Sequence, residues 1–408
     1  MKSKKKKSKK TPWILTRHKV ATKLIGAFFL PYVKRKYGIK ITKYDKKDKR
    51  PLLILYNHQT AYDQFFVAGA FNRAVYYVAS EDIFSMGFVS KIIKFLVNPI
   101  PIKKQTTDAR AVINCIRVAK EGGTIAIAPA GNRTYNGTTV YIKPSITSLA
   151  RHLGLPIAFF RIEGGYGIHP RWADDVRKGH MTAGVSRVLE PEEYKNLSDD
   201  ELYEIICAEL YCNEARADGE FRHKNLAQYL ERAFYVCPEC GLSTFESHGD
   251  TIHCKKCGYK LRYTTKKELV RDGEPSPFGF VNDWYNYQND YVNKLMLTEM
   301  ADEPLYTEKV GMWEVLLYKK KVPLHETAEI FLYPSKICVE SEGKSYSFGF
   351  DSITAISVLG KNKLNIYYEG KVYQITGDER FCALKYVNLC FRYKNLIKGE
   401  NHEQFLGL

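Results

Sequence analysis

Four short, nearly continuous apolar runs at residues 52–56, 75–79, 124–128 and 156–162, broken within only by Arg161, constrain this chain most. Apolar continuity without alternation belongs to strands covered on both faces, which is the signature of a parallel sheet. Helical patterns at 106–120 and 144–153 separate them, so residues 50–232 read as an α/β domain with a mainly parallel sheet flanked by helices. Open α/β sheets bind ligands beyond the carboxyl ends of their strands. Attention therefore falls on the residues that close each run.

The first run closes on NHQTAYD, placing Asn57 and His58 at a strand end and Asp63 five positions on, at the start of the next helix. A carboxylate that turns back onto an imidazole holds one ring nitrogen and leaves the other to take a proton from a hydroxyl. The same spacing also suits a histidine that only caps a helix. The third run closes on APAGNRTYNG. Here Pro129 and Gly131 force a tight loop, and Arg133 presents a permanent forked cation, with Asn132 and Thr134 beside it. Such a loop suits a phosphate, or a structural ion pair. Lys103 and Lys104, leaving the run NPIPIKK, are candidates for a second cation in that pocket, or a solvated pair.

Together these motifs resemble the lysophospholipid and glycerolphosphate acyltransferase family. NHQTAYD matches its HxxxxD motif, PIPIKK its apolar run closing on a cation, APAGNRTYNG its FPEGTRS motif, and LPIAFF its proline-opened strand, in the family's order across residues 50–215. Ala130 stands where the family has glutamate and Asn132 where it has threonine. The second motif offers lysine for arginine. The resemblance implies a glycerolphosphate-acyltransferase-like fold and an O-acyltransferase of phospholipid biosynthesis or remodelling. Its donor would be an acyl thioester, acyl-CoA or acyl carrier protein, and its acceptor a lysophosphatidate-like lysophospholipid. It assigns His58 as base, Asp63 as orienting carboxylate, and Asn57, Lys103, Lys104, Gly131, Asn132, Arg133 and Thr134 to substrate binding, with loop amides facing the oxyanion.

Charge points to the partner. Residues 1–50 hold 19 of the 62 Lys and Arg, with Asp45 and Asp48 as their only acids, which equals the whole chain's net charge of +17. A basic segment on a neutral body seeks an anionic partner, a membrane surface or nucleic acid. Residues 1–12 read as a disordered lysine-rich tail. Residues 13–49 read as an amphipathic membrane-associating segment, with Trp13, Val20, Ala21, Leu24, Ile25, Ala27 and Phe28 along one side and Arg17 snorkelling. Arg17, His18, Lys19 and Lys23 break it too often for a membrane span, and no signal-cleavage pattern follows it. Nucleic-acid binding explains the charge but not NHQTAYD, so anionic lipid is the favoured partner. The expected location is peripheral or monotopic, on the cytoplasmic face of the cell membrane. A catalytically quiet lipid-binding scaffold, suggested by Ala130, is the other alternative.

Ten cysteines without a disulfide-like framework fit a reducing compartment. Four of them, Cys237, Cys240, Cys254 and Cys257, form two CxxC knuckles, each followed by glycine. That pattern predicts a zinc ribbon over 233–265, against two disulfides, a redox pair, or a variant with His248 or His253 as ligand. Four protein ligands would make the Zn2+ structural. Residues 266–305 read as a helical linker. Residues 306–408 read as β-rich with a final helix carrying Phe381, Leu384, Val387 and Phe391, similar to pleckstrin-homology or GRAM domains by element order.

Overall fold

The computed structural model describes residues 12–102, 109–273, 275–316, 319, 321–341, 343–398 and 405–407, with the side chains of 81 and 82 left aside. The basic tail therefore lies outside the described residues, apart from its last position, as do Lys103 and Lys104.

The N-terminal domain is built on β1 (Ile39–Ile41), β2 (Leu53–Tyr56), β3 (Val75–Ser80), β4 (Ile100–Ile102), β5 (Thr124–Ile127), β6 (Ile157–Glu163) and β7 (Met181–Leu189), in spatial order β1-β7-β6-β2-β5-β3-β4. The four apolar runs are β2, β3, β5 and β6, which pair in parallel, while β7 runs antiparallel to β6. Around them lie α1 (Thr16–Tyr37), α2 (Asp63–Phe71), α3 (Phe88–Val97), α4 (Ala109–Lys120), α5 (Ser145–Leu153), the single turns α6 (Gly165–Ile168) and α7 (Pro191–Tyr194), and α8 (Asp199–Leu210). Strand β2 shows why its run is continuous. Leu53 and Leu55 point into one core with α4, α5 and α8, and Ile54 and Tyr56 into the other with α1 and α2.

The N-terminal segment departs from expectation. It is not a separate anchor before residue 50, because β1 pairs with β7 and brings α1 onto the sheet. Helix α1 also runs through Pro31. It ends at Gly38, which takes the left-handed conformation (φ 59°) and donates its N–H to Lys34 O, with Lys34, Arg35 and Lys36 in the last turn. Trp13 is not on an outward face. Its backbone N–H donates to Glu121 Oε2 at 2.7 Å and its indole to Asn98 O at 3.1 Å. Arg17 does not snorkel freely either, since its Nε donates to Phe95 O and its guanidinium lies 4.3 Å from that ring's centre.

The cysteine module consists of β8 (Val236–Cys237), β9 (Gly241–Leu242), β10 (Phe245–His248), β11 (Thr251–Cys254), β12 (Lys260–Tyr263) and β13 (Leu269–Val270). The expected linker at 266–305 is only partly helical, because β13 lies within it and pairs with β12. Its helix, α9 (Val281–Lys294), packs on the module: Trp284 stacks on Phe234 at 4.0 Å and donates its indole N–H to Val236 O.

Seven antiparallel strands follow: β14 (Tyr306–Glu314), β15 (Val322–Leu332), β16 (Lys336–Ser341), β17 (Lys344–Gly349), β18 (Ala355–Leu359), β19 (Lys363–Tyr368) and β20 (Lys371–Thr376). Their order is β17-β16-β15-β14-β20-β19-β18, and α10 (Ala383–Lys398) covers the sheet. Leu384 and Val387 on α10 are fully buried there, as the sequence pattern anticipates. The module, α9 and this sheet share one core, which also takes in Tyr135 and Trp172 of the first domain.

Candidate active site

Strand β2 ends at Tyr56 and delivers Asn57 and His58 to the carboxyl edge of the sheet; the chain turns and Asp63 opens α2. His58 Nδ1 lies 2.7 Å from Asp63 Oδ2. The carboxylate is wholly buried and also accepts from Gln59 N (2.7 Å), Thr60 N (2.8 Å) and Thr60 Oγ1 (2.7 Å). An ionised carboxylate only accepts, so Nδ1 carries the hydrogen and Nε2 is the basic nitrogen. A negative group in the first turn is further favoured by the helix dipole.

Strand β5 delivers the second loop. Gly131 sits at φ 68° and donates its N–H to Ala128 O at 2.9 Å, which closes the tight turn that Pro129 begins. That amide is thereby spent and does not face an oxyanion. Thr134 is likewise spent: its hydroxyl donates to Asn136 Oδ1 at 2.7 Å and accepts from Gly137 N at 2.9 Å. Arg133 is 8% exposed, and its Nη1 has no hydrogen-bond partner among the described residues. Burial first and the neighbouring charge of Arg171 second lower its pKa to about 10, still far above neutrality, so it remains a cation.

His58, Ala130, Gly131, Asn132 and Arg133 all border one cavity of about 950 Å3. Its remaining wall is mostly apolar: Ile25, Gly26 and Leu30 of α1, Phe65 and Ala68 of α2, Ile93, Leu96 and Val97 of α3, and Ala111, Val112 and Cys115 of α4. His58 and Arg133 thus share one largely apolar cleft. Asn57 does not border it. Its amide donates to Ile162 O and accepts from Ile162 N, both at 2.8 Å, and so braces β2 against β6. Lys103 and Lys104 lie outside the described residues; the last described position before them, Ile102, lines the cavity.

Sequence reasoning missed the contributions of α1 and of the C-terminal domain. Leu359, Gly360, Phe405 and Gly407 border the cavity from that domain, and Arg171 from the first. No local pattern marks them, because the contacts join residues close to two hundred positions apart.

The four module cysteines come together. Their sulfurs all lie within 4.8 Å of one another, with Cys237–Cys257 at 3.5 Å and Cys240–Cys254 at 3.6 Å. Spacings of this size match the edges of a tetrahedron with metal–sulfur bonds of about 2.3 Å. Ser243 Oγ sits 3.1 Å from Cys254 Sγ, and the backbone N–H groups of Glu239 and Cys240 point to Cys237. The donor set fits a thiophilic ion that supplies a fold cross-link and no reactive position.

A histidine held by a buried carboxylate and opening on a largely apolar cavity can take a proton from a bound hydroxyl. Residues 38–162 match the family model described as Acyltransferase. Among solved structures the chain is similar to the 1-acyl-sn-glycerophosphate (LPA) acyltransferase PlsC of Thermotoga maritima, at 20% identity over 46% of this chain and 76% of that one, with a TM-score of 0.40. Among curated proteins it is similar to subunit 12 of DNA-directed RNA polymerases II, IV and V of Arabidopsis thaliana, 38% identical over 40 residues, which are 10% of this chain and 78% of that protein.

Proposed function

We propose that the protein transfers a fatty acyl group from acyl-CoA or acyl carrier protein to a hydroxyl of a lysophosphatidate-like lysophospholipid, working peripherally on an anionic membrane. One observation carries this reading: the base His58 and the buried cation Arg133 border the same largely apolar cavity. In the reaction, His58 Nε2 takes the proton of the acceptor hydroxyl as its oxygen attacks the thioester carbonyl. The tetrahedral intermediate then collapses, the C–S bond breaks, and the leaving sulfur takes the proton from His58. Asp63 fixes the tautomer and stabilises the imidazolium between the two steps, and Arg133 holds the phosphate. Asn132 lies beside it, Gly131 shapes the loop, and Ala130 leaves the cavity wall without the family's carboxylate.

Membrane association is supported by outward-facing apolar side chains on adjoining helices, Phe28 of α1 at 81% exposure and Phe88 of α3 at 74%. Among the described residues, no helix is long and apolar enough to cross a membrane. We assign Zn2+ to the four cysteines as a structural ion. The C-terminal domain reads as pleckstrin-homology- or GRAM-like, supported by seven antiparallel strands whose first neighbours the last and by the closing helix.

The test is His58→Ala in the full chain, assayed with a labelled acyl-CoA and lysophosphatidate. Transfer should fall to background while the melting temperature stays within a few degrees. Undiminished turnover would remove the mechanism.

A further inference from the structure

The turn between β18 and β19 enters the active-site cavity from another domain, and one side chain holds it there. Arg171, 2% exposed, donates from Nε to Gly360 O at 2.8 Å and from Nη2 to Val358 O at 2.9 Å. Its Nη1 donates to the backbone carbonyl of Arg133 at 2.8 Å. Strand β18 ends the order of its sheet among the described residues, and Arg171 takes up the carbonyls of Val358 and of Gly360 in the turn that follows. The contact is reinforced on both sides. The Tyr135 hydroxyl donates to Lys361 O, the Arg171 guanidinium lies 4.4 Å from the Tyr135 ring centre, and Lys361 Nζ meets Asp174 at 2.7 Å. A buried guanidinium whose fork is matched to three carbonyls fixes geometry in a way a lysine cannot.

The location gives this clamp a meaning. The α3 and α4 residues that line the cavity are apolar, and Gly360 is tied through Arg171 to the loop where Asn132 and Arg133 line it with polar and cationic groups. A lipid with a hydrocarbon tail and an anionic head placed in this cavity would meet the Arg133 guanidinium with its head beside Gly360.

We propose that the active site is composite: the β18–β19 turn of the C-terminal domain is the headgroup wall, and Arg171 is a positioning residue that holds Arg133 against it, so that the C-terminal domain sets which phosphate-bearing acceptor is used. This rests on the acyl-transfer reading above and adds to it a specificity element outside the catalytic domain.

Two substitutions in the full chain test it. Gly360 has φ 62°, and a Cβ there meets nothing within 4 Å. Asparagine tolerates the left-handed conformation better than other side-chain-bearing residues, so Gly360→Asn adds an amide at the wall with the least backbone strain a substitution there can have. The relative kcat/KM for lysophosphatidate against lysophosphatidylethanolamine should change by about tenfold, with KM for palmitoyl-CoA within about twofold. Arg171→Lys keeps the charge and loses the fork, and should raise KM for lysophosphatidate about tenfold while leaving that for palmitoyl-CoA in place. A merely structural role would lower the melting temperature and kcat without separating the two substrates. Unchanged acceptor preference in Gly360→Asn overturns the proposal even if Arg171→Lys fails to fold. Wild-type protein that transfers to neither acceptor overturns the acyl-transfer reading itself, and this proposal with it.

Discussion

The carboxylate of Asp63 binds His58 Nδ1 at 2.7 Å while also receiving the backbone N–H groups of Gln59 and Thr60. One group therefore fixes both the loop and the tautomer of the base. Asp63→Asn keeps the shape but offers a neutral amide, which can no longer stabilise an imidazolium. By analogy with other histidine bases that lose their carboxylate, kcat should drop by about three to four orders of magnitude, with KM changed much less. A loss below tenfold in steady-state assays would mean that His58 works without its partner.

Gly26 lies on the cavity side of α1, and a Cβ built there meets nothing within 4 Å. Gly26→Leu should fill part of the cavity and shift preference toward shorter acyl chains. Replacing a mid-helix glycine should also stabilise α1 by about 0.5–1 kcal/mol. Competition between acyl-CoAs of graded length reads the first effect and thermal melting the second. An unchanged length profile would place the tail elsewhere. Gly69 is the contrasting case, since its Cβ would meet Leu30 Cδ2 at 3.0 Å.

Phe28 and Phe88 present their rings to the outside. Converting both to aspartate removes about 1.5–3 kcal/mol of burial for each ring that enters a lipid surface. Sedimentation with anionic vesicles should weaken by more than about tenfold. Equal vesicle binding by the double variant, alongside steeply salt-dependent DNA binding, would favour the nucleic-acid reading.

The four clustered sulfurs should bring about one zinc per chain when the protein is purified without chelator. Because the module shares its core with α9 and the C-terminal sheet, stripping the ion should lower the melting temperature of both together. Metal content far below one, or melting indifferent to chelation, would count against four thiolate ligands.

His169 is buried, its Nδ1 lies 3.0 Å from the Tyr37 hydroxyl, and burial first, then the charge of Arg133, holds its pKa down to about 3. The unfolded chain takes up a proton here below about pH 6.5, whereas the folded chain does not until about pH 3. The unfolded state thus binds more protons in that window, and stability is lost as pH falls through it. Between about pH 7 and pH 5, wild type should lose on the order of 1–2 kcal/mol more than His169→Gln. Urea midpoints measured at both pH values decide it; equal losses would show that His169 is not the acid-sensitive group.

The sequence made the sheet readable because β2, β5 and most of β6 are buried on both faces, with β3 buried only at its start, and apolar runs with few interruptions have few other uses. The pairing of His58 with Asp63 was readable because it is local, a strand end followed by a helix start. The cysteine cluster was readable for the same reason, its spacing being set by two knuckles. What depended on distant contacts was not readable. Nothing near Arg171 announces that its partners are at positions 133, 358 and 360. Thr134 and Asn57 looked like ligand groups because polar residues at strand ends so often are. Only their partners, the backbone N–H of Gly137 and the backbone of Ile162, reveal that they serve the backbone. Helix α1 misled most. Its apolar residues suggested a single outward stripe, but the chain beyond it joins the sheet as β1, and so the helix acquires an inner side.

That two-sidedness has a mechanical consequence. Ile25, Gly26 and Leu30 form part of the substrate chamber, while Val20, Leu24 and Phe28 on the same rigid rod look away from it. On the proposed reading, the helix that would meet the membrane is also a wall of the cavity, so a tilt of α1 at the surface would change the room inside.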